Sequence, residues 1–347
     1  DDWKGKVLPG FSMLGDNAWV IAQGNKLYNS PGNDYKYRYF CDLSDYAYGS
    51  YYSQIISIGE KHYVCPIDAR DIIVIHNEKI EKRIVLNQCI EQARAFYGAI
   101  GSGKYLFLIP NNYPAVVRYD TENDEIQYFS QHLDVFIKNV NGEKRLGGYC
   151  THNGYLYLAS PADNQVLAID METGAEQVLT IDTDASCGCM WMASDGTELW
   201  LLPYSSYTIT SWNPVNGETH VYSDYPEGLV CTHIFHGYEC MEYPFIAPAF
   251  CGDYVYFPPQ WANMFIRLNK VTGEMTEWKP PFELPKKTKN GYFFSGIKAC
   301  FLPPAKTDTS TEYPLFSMFD RKIFLIDLKT MEYREKNIEF DLQDLEE

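Results

Sequence analysis

The chain has 347 residues, 46% hydrophobic and 22% charged, with a formal net charge of −17. That composition is globular. The charge argues against a duplex nucleic-acid binder, which needs clustered Lys and Arg, and against docking on anionic lipid. Length alone suggests about two domains, but all-β folds often pass 200 residues as one unit, and 28 tyrosines in a 16% aromatic chain favour strands. No apolar run approaches the ~18 residues of a membrane-spanning helix. Ten cysteines follow no disulfide spacing. Several, such as Cys65, Cys150 and Cys251, lie in or beside apolar runs, where a thiol packs as a small hydrophobe. A cytoplasmic location is the expectation, although a first residue other than Met stays compatible with a removed leader.

In chain order, one grammar recurs. A Gly-containing turn opens each unit but the last. An alternating aromatic run, a bend, a second apolar run closed by a polar residue, a short turn and a polar-edged strand follow. The units span Gly24–Leu43, Gly59–Leu86, Gly103–Phe129, Gly154–Leu179, Gly196–Tyr222, Gly252–Trp278 and Pro314–Glu335, the first and last being the loosest copies. The closing residues are Asp42, His76, Asp120, Asp170, Asn213, Asn269 and Asp327, at steps of 34 to 58 residues. Such periods belong to repeat architectures, and a four-stranded propeller blade needs about 40–50 residues. The runs YLFLIP and YVYFPP are apolar at both parities, as strands buried on both faces must be. Upstream of each Gly turn lies a further candidate strand: AWVIA, SQIISI, AFYGAI, LGGYCT, MWMAS, IAPAF and FFSGIKACF. These are expected to be innermost, with Gly147, Gly148, Ala193, Ala247 and Gly296 suiting a crowded axis.

On these repeats the chain resembles the seven-bladed β-propellers, loosely those with NHL-, YWTD- or PQQ-like repeats. The resemblance implies an all-β fold: one propeller domain over 1–347, with four-stranded blades near 17–50, 51–86, 95–129, 147–180, 189–223, 246–279 and 293–340. The alternative is six blades plus a terminal closing segment. The first unit is the weak one, because its fourth strand must come from the short DYAYGS or the N-terminal segment must pair with a terminal blade. Propellers serve as binding modules and as enzymes alike, so the fold leaves the function open.

Long links between units are the expected binding elements. They run from Asn87 to Gly98, where a short helical turn is one reading, from Ser130 to Gly148, from Asp224 to Phe245 and from Lys279 to Phe294. The third concentrates His233, His236, Cys231, Glu239 and Cys240. On a helix the two histidines would share a face, yet neither H-E-x-x-H nor paired C-x-x-C spacing is present, so no metal site is expected and these histidines are the nearest candidates. The pair Cys187 and Cys189 reads as small residues entering an inner strand. G-x-S-x-G, G-x-G-x-x-G and the Walker spacing are all absent. The closing Asp and Asn residues read as turn residues bonding nearby amides.

Aromatic and basic residues on inner strands and links then form the candidate site: Arg94, Tyr97, Arg145, Tyr149, Trp191, His233, His236, Tyr243, Tyr292 and Lys298. Aromatic faces with a few placed polar groups are the usual make-up of ligand sites. The expected function is a non-catalytic scaffold binding a small polar ligand, glycan, peptide or protein at one propeller face. The alternative is a lyase or hydrolase assembled around the channel. Neither reading names a cofactor.

Overall fold

Strand chemistry predicts the strands, and the computed structural model places them in seven blade sheets. It describes residues 19–22, 25–32, 34–44, 51–87, 94–140, 142–204, 206, 208–230, 233–235, 238–240, 244–246, 248–259, 262–282, 312–317 and 322–340. The fold is an all-β seven-bladed β-propeller rather than the six-bladed alternative. Among the described residues the one regular helix is a single turn, Leu133–Phe136. The chain divides into two compact units, residues 1–133 with 337–347, and residues 134–336.

The first unit holds three sheets. β1 (Trp19–Ala22), β2 (Lys26–Asn29) and β3 (Lys36–Asp42) make the first. β4 (Tyr52–Ile58), β5 (Lys61–Pro66), β6 (Asp71–His76) and β7 (Lys79–Val85) make the second. β8 (Phe96–Ser102), β9 (Tyr105–Pro110), β10 (Val116–Asp120) and β11 (Glu125–Phe129) make the third. Every described residue of β9 and β10 is buried, whereas β11 alternates toward solvent, as a middle and an edge strand should. The apolar core lies between sheets: Tyr63, Ile72 and Val74 of the second meet Phe96, Leu106 and Val117 of the third.

The first sheet gains its fourth strand from the far end of the sequence. Glu339–Phe340 pairs in parallel with β3, Lys36 opposite Glu339 and Tyr37 opposite Phe340. Phe340 stacks on Tyr37 at 5.3 Å and meets Tyr28 edge-on at 5.1 Å. The segment 45–50, the sequence-based candidate for this strand, and the segment 1–14, the candidate to pair with a terminal blade, lie outside the described residues. These two residues end the span 293–340 yet complete the opening sheet.

The second unit begins with a hairpin, β12 (Ile137–Val140) and β13 (Glu143–Leu146). Four sheets follow. They comprise β14 (Tyr149–His152) to β17 (Glu176–Thr180) through β15 (Tyr155–Ala159) and β16 (Gln165–Asp170); β18 (Cys189–Ser194) to β21 (Thr219–Tyr222) through β19 (Leu199–Pro203) and β20 (Ile209–Trp212); and, after a second hairpin of β22 (His233–Phe235) and β23 (Tyr238–Cys240), β24 (Ala249–Cys251) to β27 (Met275–Trp278) through β25 (Tyr254–Phe257) and β26 (Phe265–Asn269). The last has three described strands, β28 (Glu312–Ser317), β29 (Lys322–Asp327) and β30 (Tyr333–Asn337), and its expected inner strand FFSGIKACF lies outside the described residues.

The recurring Asp or Asn builds the outer turn of five sheets. Asp170 Oδ1 accepts the amides of Glu172 and Thr173 at 3.0 and 2.7 Å, and Asn269 Oδ1 those of Val271 and Thr272 at 2.9 and 3.1 Å. Asp120, Asn213 and Asp327 repeat the pattern. The turn ends in a left-handed residue, Gly174 at φ 75° and Gly273 at φ 75°, whose amide returns to the carbonyl of the closing residue. His76 departs from the rule and is followed by a two-residue turn with both Asn77 and Glu78 at positive φ.

Candidate ligand-binding face

In the second unit, β14 and β18 pack side by side as the inner strands of neighbouring sheets. Gly148 makes that approach possible: a Cβ there would stand 2.7 Å from the backbone of Trp191 and Met192. Its amide donates to the Cys189 carbonyl at 3.1 Å. Tyr149 therefore begins its strand against the start of β18. There the ladder slips between Cys189 and Trp191, a bulge of the kind that re-aims a side chain. Trp191 is half-buried, and its indole N–H is buried without a hydrogen-bond partner.

The hairpin β12–β13 reaches the same end of β18. Tyr204, which follows β19, donates its amide to Gly188 at 3.0 Å. Arg145 of β13 donates to the Tyr204 hydroxyl and lies over its ring, 5.2 Å from the centroid. Glu143 pairs with the same guanidinium at 2.6 Å. Across the hairpin, Lys138 donates to Gln165 at 3.1 Å and pairs with Asp163 at 3.4 Å. Asn164, beside them, donates to the carbonyls of Thr183 and Ala185 at 2.9 and 3.0 Å and accepts the Cys187 amide at 2.8 Å, tying down the link into β18. Cys187 and Cys189 are buried, and burial pushes the Cys189 thiol up to about 12.

Arg145, through Tyr204, and the start of Tyr149's strand thus lie at one end of β18, whereas the Trp191 ring packs away from them against the cores of the following two sheets. Arg94 and Tyr97 belong to the first unit. Arg94 is exposed at φ 60°, two residues before β8, and Tyr97 occupies the bulge between Phe96 and Gly98. Most other inner-strand aromatics pack between sheets, as Trp19, Tyr52 and Phe96 do. His236, Tyr243, Tyr292 and Lys298 lie outside the described residues. His233 pairs with Cys240 in an antiparallel ladder, so the segment is a β-hairpin and the helical i, i+3 argument for its histidines does not apply. The base of that link is fixed by Asn263, which accepts the Val230 amide at 2.8 Å and donates to the Gly228 carbonyl at 2.9 Å. Asn164, Asn263, Tyr204 and Lys138 left no local signal in the sequence, since their partners are 19 to 59 residues away.

At the opposite end of β14, His152 is buried. Asn153 Nδ2 donates to its Nε2 at 2.9 Å, which leaves Nδ1–H for Ser194 Oγ at 2.7 Å on β18. Burial lowers the His152 pKa, against a smaller upward pull from Asp195. The Asp195 side chain is only 4% exposed. Burial opposes its ionisation, but the amides of Glu198 and Thr197 and the Lys270 ammonium, 3.1 Å away, hold it below the usual carboxylate range. A depressed imidazole pKa means the unfolded chain binds the proton first. Stability is therefore full at pH 7 and falls as pH drops below about 6.5. Comparing urea midpoints at pH 7.5 and 5.5 should show a loss in the wild type that His152→Gln reduces. Equal pH slopes for the two proteins would contradict this account.

No family model matches the chain, and no curated protein matches it. Solved propeller structures do. Virginiamycin B lyase from Staphylococcus aureus is similar at 14% identity, covering 82% of this chain and 83% of that one, with a TM-score of 0.52. Kluyveromyces lactis Hsv2 is similar at 8% identity over 94% and 98% of the two chains, with a TM-score of 0.51. U3-55K is similar at 10% identity over 80% and 77%, with a TM-score of 0.51. At these identities the likeness is one of fold. One of these proteins is a lyase by name and the others are not. Among the described residues no helix is long and apolar enough to cross a membrane.

Proposed function

We propose that the protein is a recognition scaffold that binds a glycan, peptide or protein segment at the face formed by the hairpin β12–β13 and the leading ends of β14 and β18. The observation that carries this reading is Arg145 laid over the Tyr204 ring by an inserted hairpin that no blade needs. Tyr149, half-buried at the start of β14, adds aromatic surface at the same end of β18. A guanidinium held against aromatic rings is a preorganised contact for a polar ligand, because little rotamer freedom remains to be lost on binding. A cytoplasmic location belongs to the same reading, supported by the free thiols of Cys65, Cys150, Cys187 and Cys189.

The test is a panel of soluble oligosaccharides and short peptides, with hits measured by titration calorimetry on wild type and Arg145→Ala. Arg145→Ala is expected to weaken a hit at least about tenfold, in line with loss of a charge-assisted contact, while the urea midpoint stays near that of the wild type. Hits whose affinity ignores Arg145→Ala would place recognition elsewhere and refute this face.

A further inference from the structure

The hairpin β12–β13 carries an arrangement that folding alone disfavours. Its register sets Lys138 directly opposite Arg145. Side chains opposite one another in an antiparallel pair point to the same face, with Cβ atoms about 5 Å apart, and like charges there repel. Lys144 adds a third cation within the same ten residues, in a chain whose net charge is −17. Glu143 is the hairpin's own carboxylate.

The counter-charges are placed unequally. The side chains of Arg145 and Lys138 are 26% and 24% exposed, whereas those of their partners Glu143 and Asp163 are 68% and 46% exposed. The cations are held in the surface and the carboxylates stand out from it. Arg145 would keep its orientation without Glu143, because the ring and hydroxyl of Tyr204 also hold it. An exposed ion pair contributes roughly 0–1 kcal/mol, so exchanging Glu143 for an incoming carboxylate costs little. A planar guanidinium fork accepts a carboxylate in a bidentate manner.

We infer that this face selects a carboxylate-bearing ligand, whose carboxylate takes the place of Glu143 on Arg145 while Lys138 supplies a second positive charge across the hairpin. The inference rests on the proposed recognition face and specifies the chemistry that the face takes. Glu143 is an internal competitor, so affinity for the acidic ligand is set by how readily it leaves.

Trigalacturonate is the probe, its methyl-esterified form the uncharged control, and tetraglutamate the peptide alternative. Each is titrated calorimetrically into wild type, Glu143→Gln and Arg145→Gln. Trigalacturonate is expected to bind wild type at least tenfold more tightly than its ester. Glu143→Gln should tighten that binding three- to tenfold, and Arg145→Gln should abolish it. The same dependence with tetraglutamate in place of the uronate would support carboxylate selection and assign a peptide source. Equal binding of acid and ester, both lost in Arg145→Gln but unchanged in Glu143→Gln, would overturn the inference and leave the recognition face standing. Failure of both acidic probes to bind wild type and Glu143→Gln would also overturn it. Binding of any probe that ignores Arg145→Gln would refute the face itself.

Discussion

Trp200→Ala should destabilise the protein by about 3–5 kcal/mol, the range for deleting a large buried aromatic. Trp200 is fully buried on β19. Its ring stacks on Tyr222 of its own sheet at 5.7 Å and tilts against Phe250 and Phe257 of the next at 6.2 and 6.3 Å. Around it lie Val255, Ile266 and Leu268, so truncation opens a cavity between two sheets that cannot collapse without moving both. The indole N–H also donates to Asp195 Oδ2 at 3.2 Å, beside the Lys270 ammonium. Trp200→Phe keeps most of the ring and loses that donor, so about 1–2 kcal/mol is expected. Urea unfolding followed by circular dichroism measures both. A near-neutral Trp200→Ala would mean that the space between these sheets is not the core described.

Ending the chain at Asn337 should cost the first unit on the order of 3–5 kcal/mol. The truncation removes Ile338, which is 6% exposed, together with Phe340 and its contacts to Tyr37 and Tyr28. Burial of one such side chain is worth about 1.5–3 kcal/mol, and aromatic pairing adds roughly 0.5–1.5 kcal/mol. The Glu339 amide also donates to the Tyr35 carbonyl at 3.1 Å, and its loss bares part of the β3 edge. Phe340→Ala separates the contributions, because it keeps the backbone pairing and removes only the ring. The expected order of urea midpoints is wild type, then Phe340→Ala, then the truncated chain. A truncated chain with an unshifted midpoint would show that Glu339–Phe340 adds nothing to the first sheet.

These two sites differ in how they could be found. Trp200 sits in ELWLLP, a run apolar at both parities, and that pattern already demands burial on both faces. Phe340 sits in NIEFDL, which carries no such pattern. Its role comes from a strand 303 residues earlier, and no window along the chain contains both partners.

The same division holds for the proposed site. Arg145, Tyr149 and Trp191 were legible as candidates because inner strands and long links are readable from repeat spacing. Tyr204, Asn164 and Lys138 were not, because a tyrosine, an asparagine or a lysine in a loop looks the same whether it faces solvent or a hairpin folded onto it.

By itself, then, the sequence determined the repeat, the order of strands within the five sheets between the first and the last, the five Asx-capped turns and the close-approach glycine at 148. All of these are local: alternation, β-propensity and side-chain bonds to amides two or three residues on operate within one blade. Only the tertiary structure decided that residues 339–340 complete the first sheet, that the link from Ser130 to Gly148 folds as a hairpin, and that Arg145 lies over Tyr204. Those outcomes depend on which surfaces meet after the sheets have formed. Burial and charge pairing act through space between residues 59 to 303 positions apart, and a linear pattern carries no record of that distance.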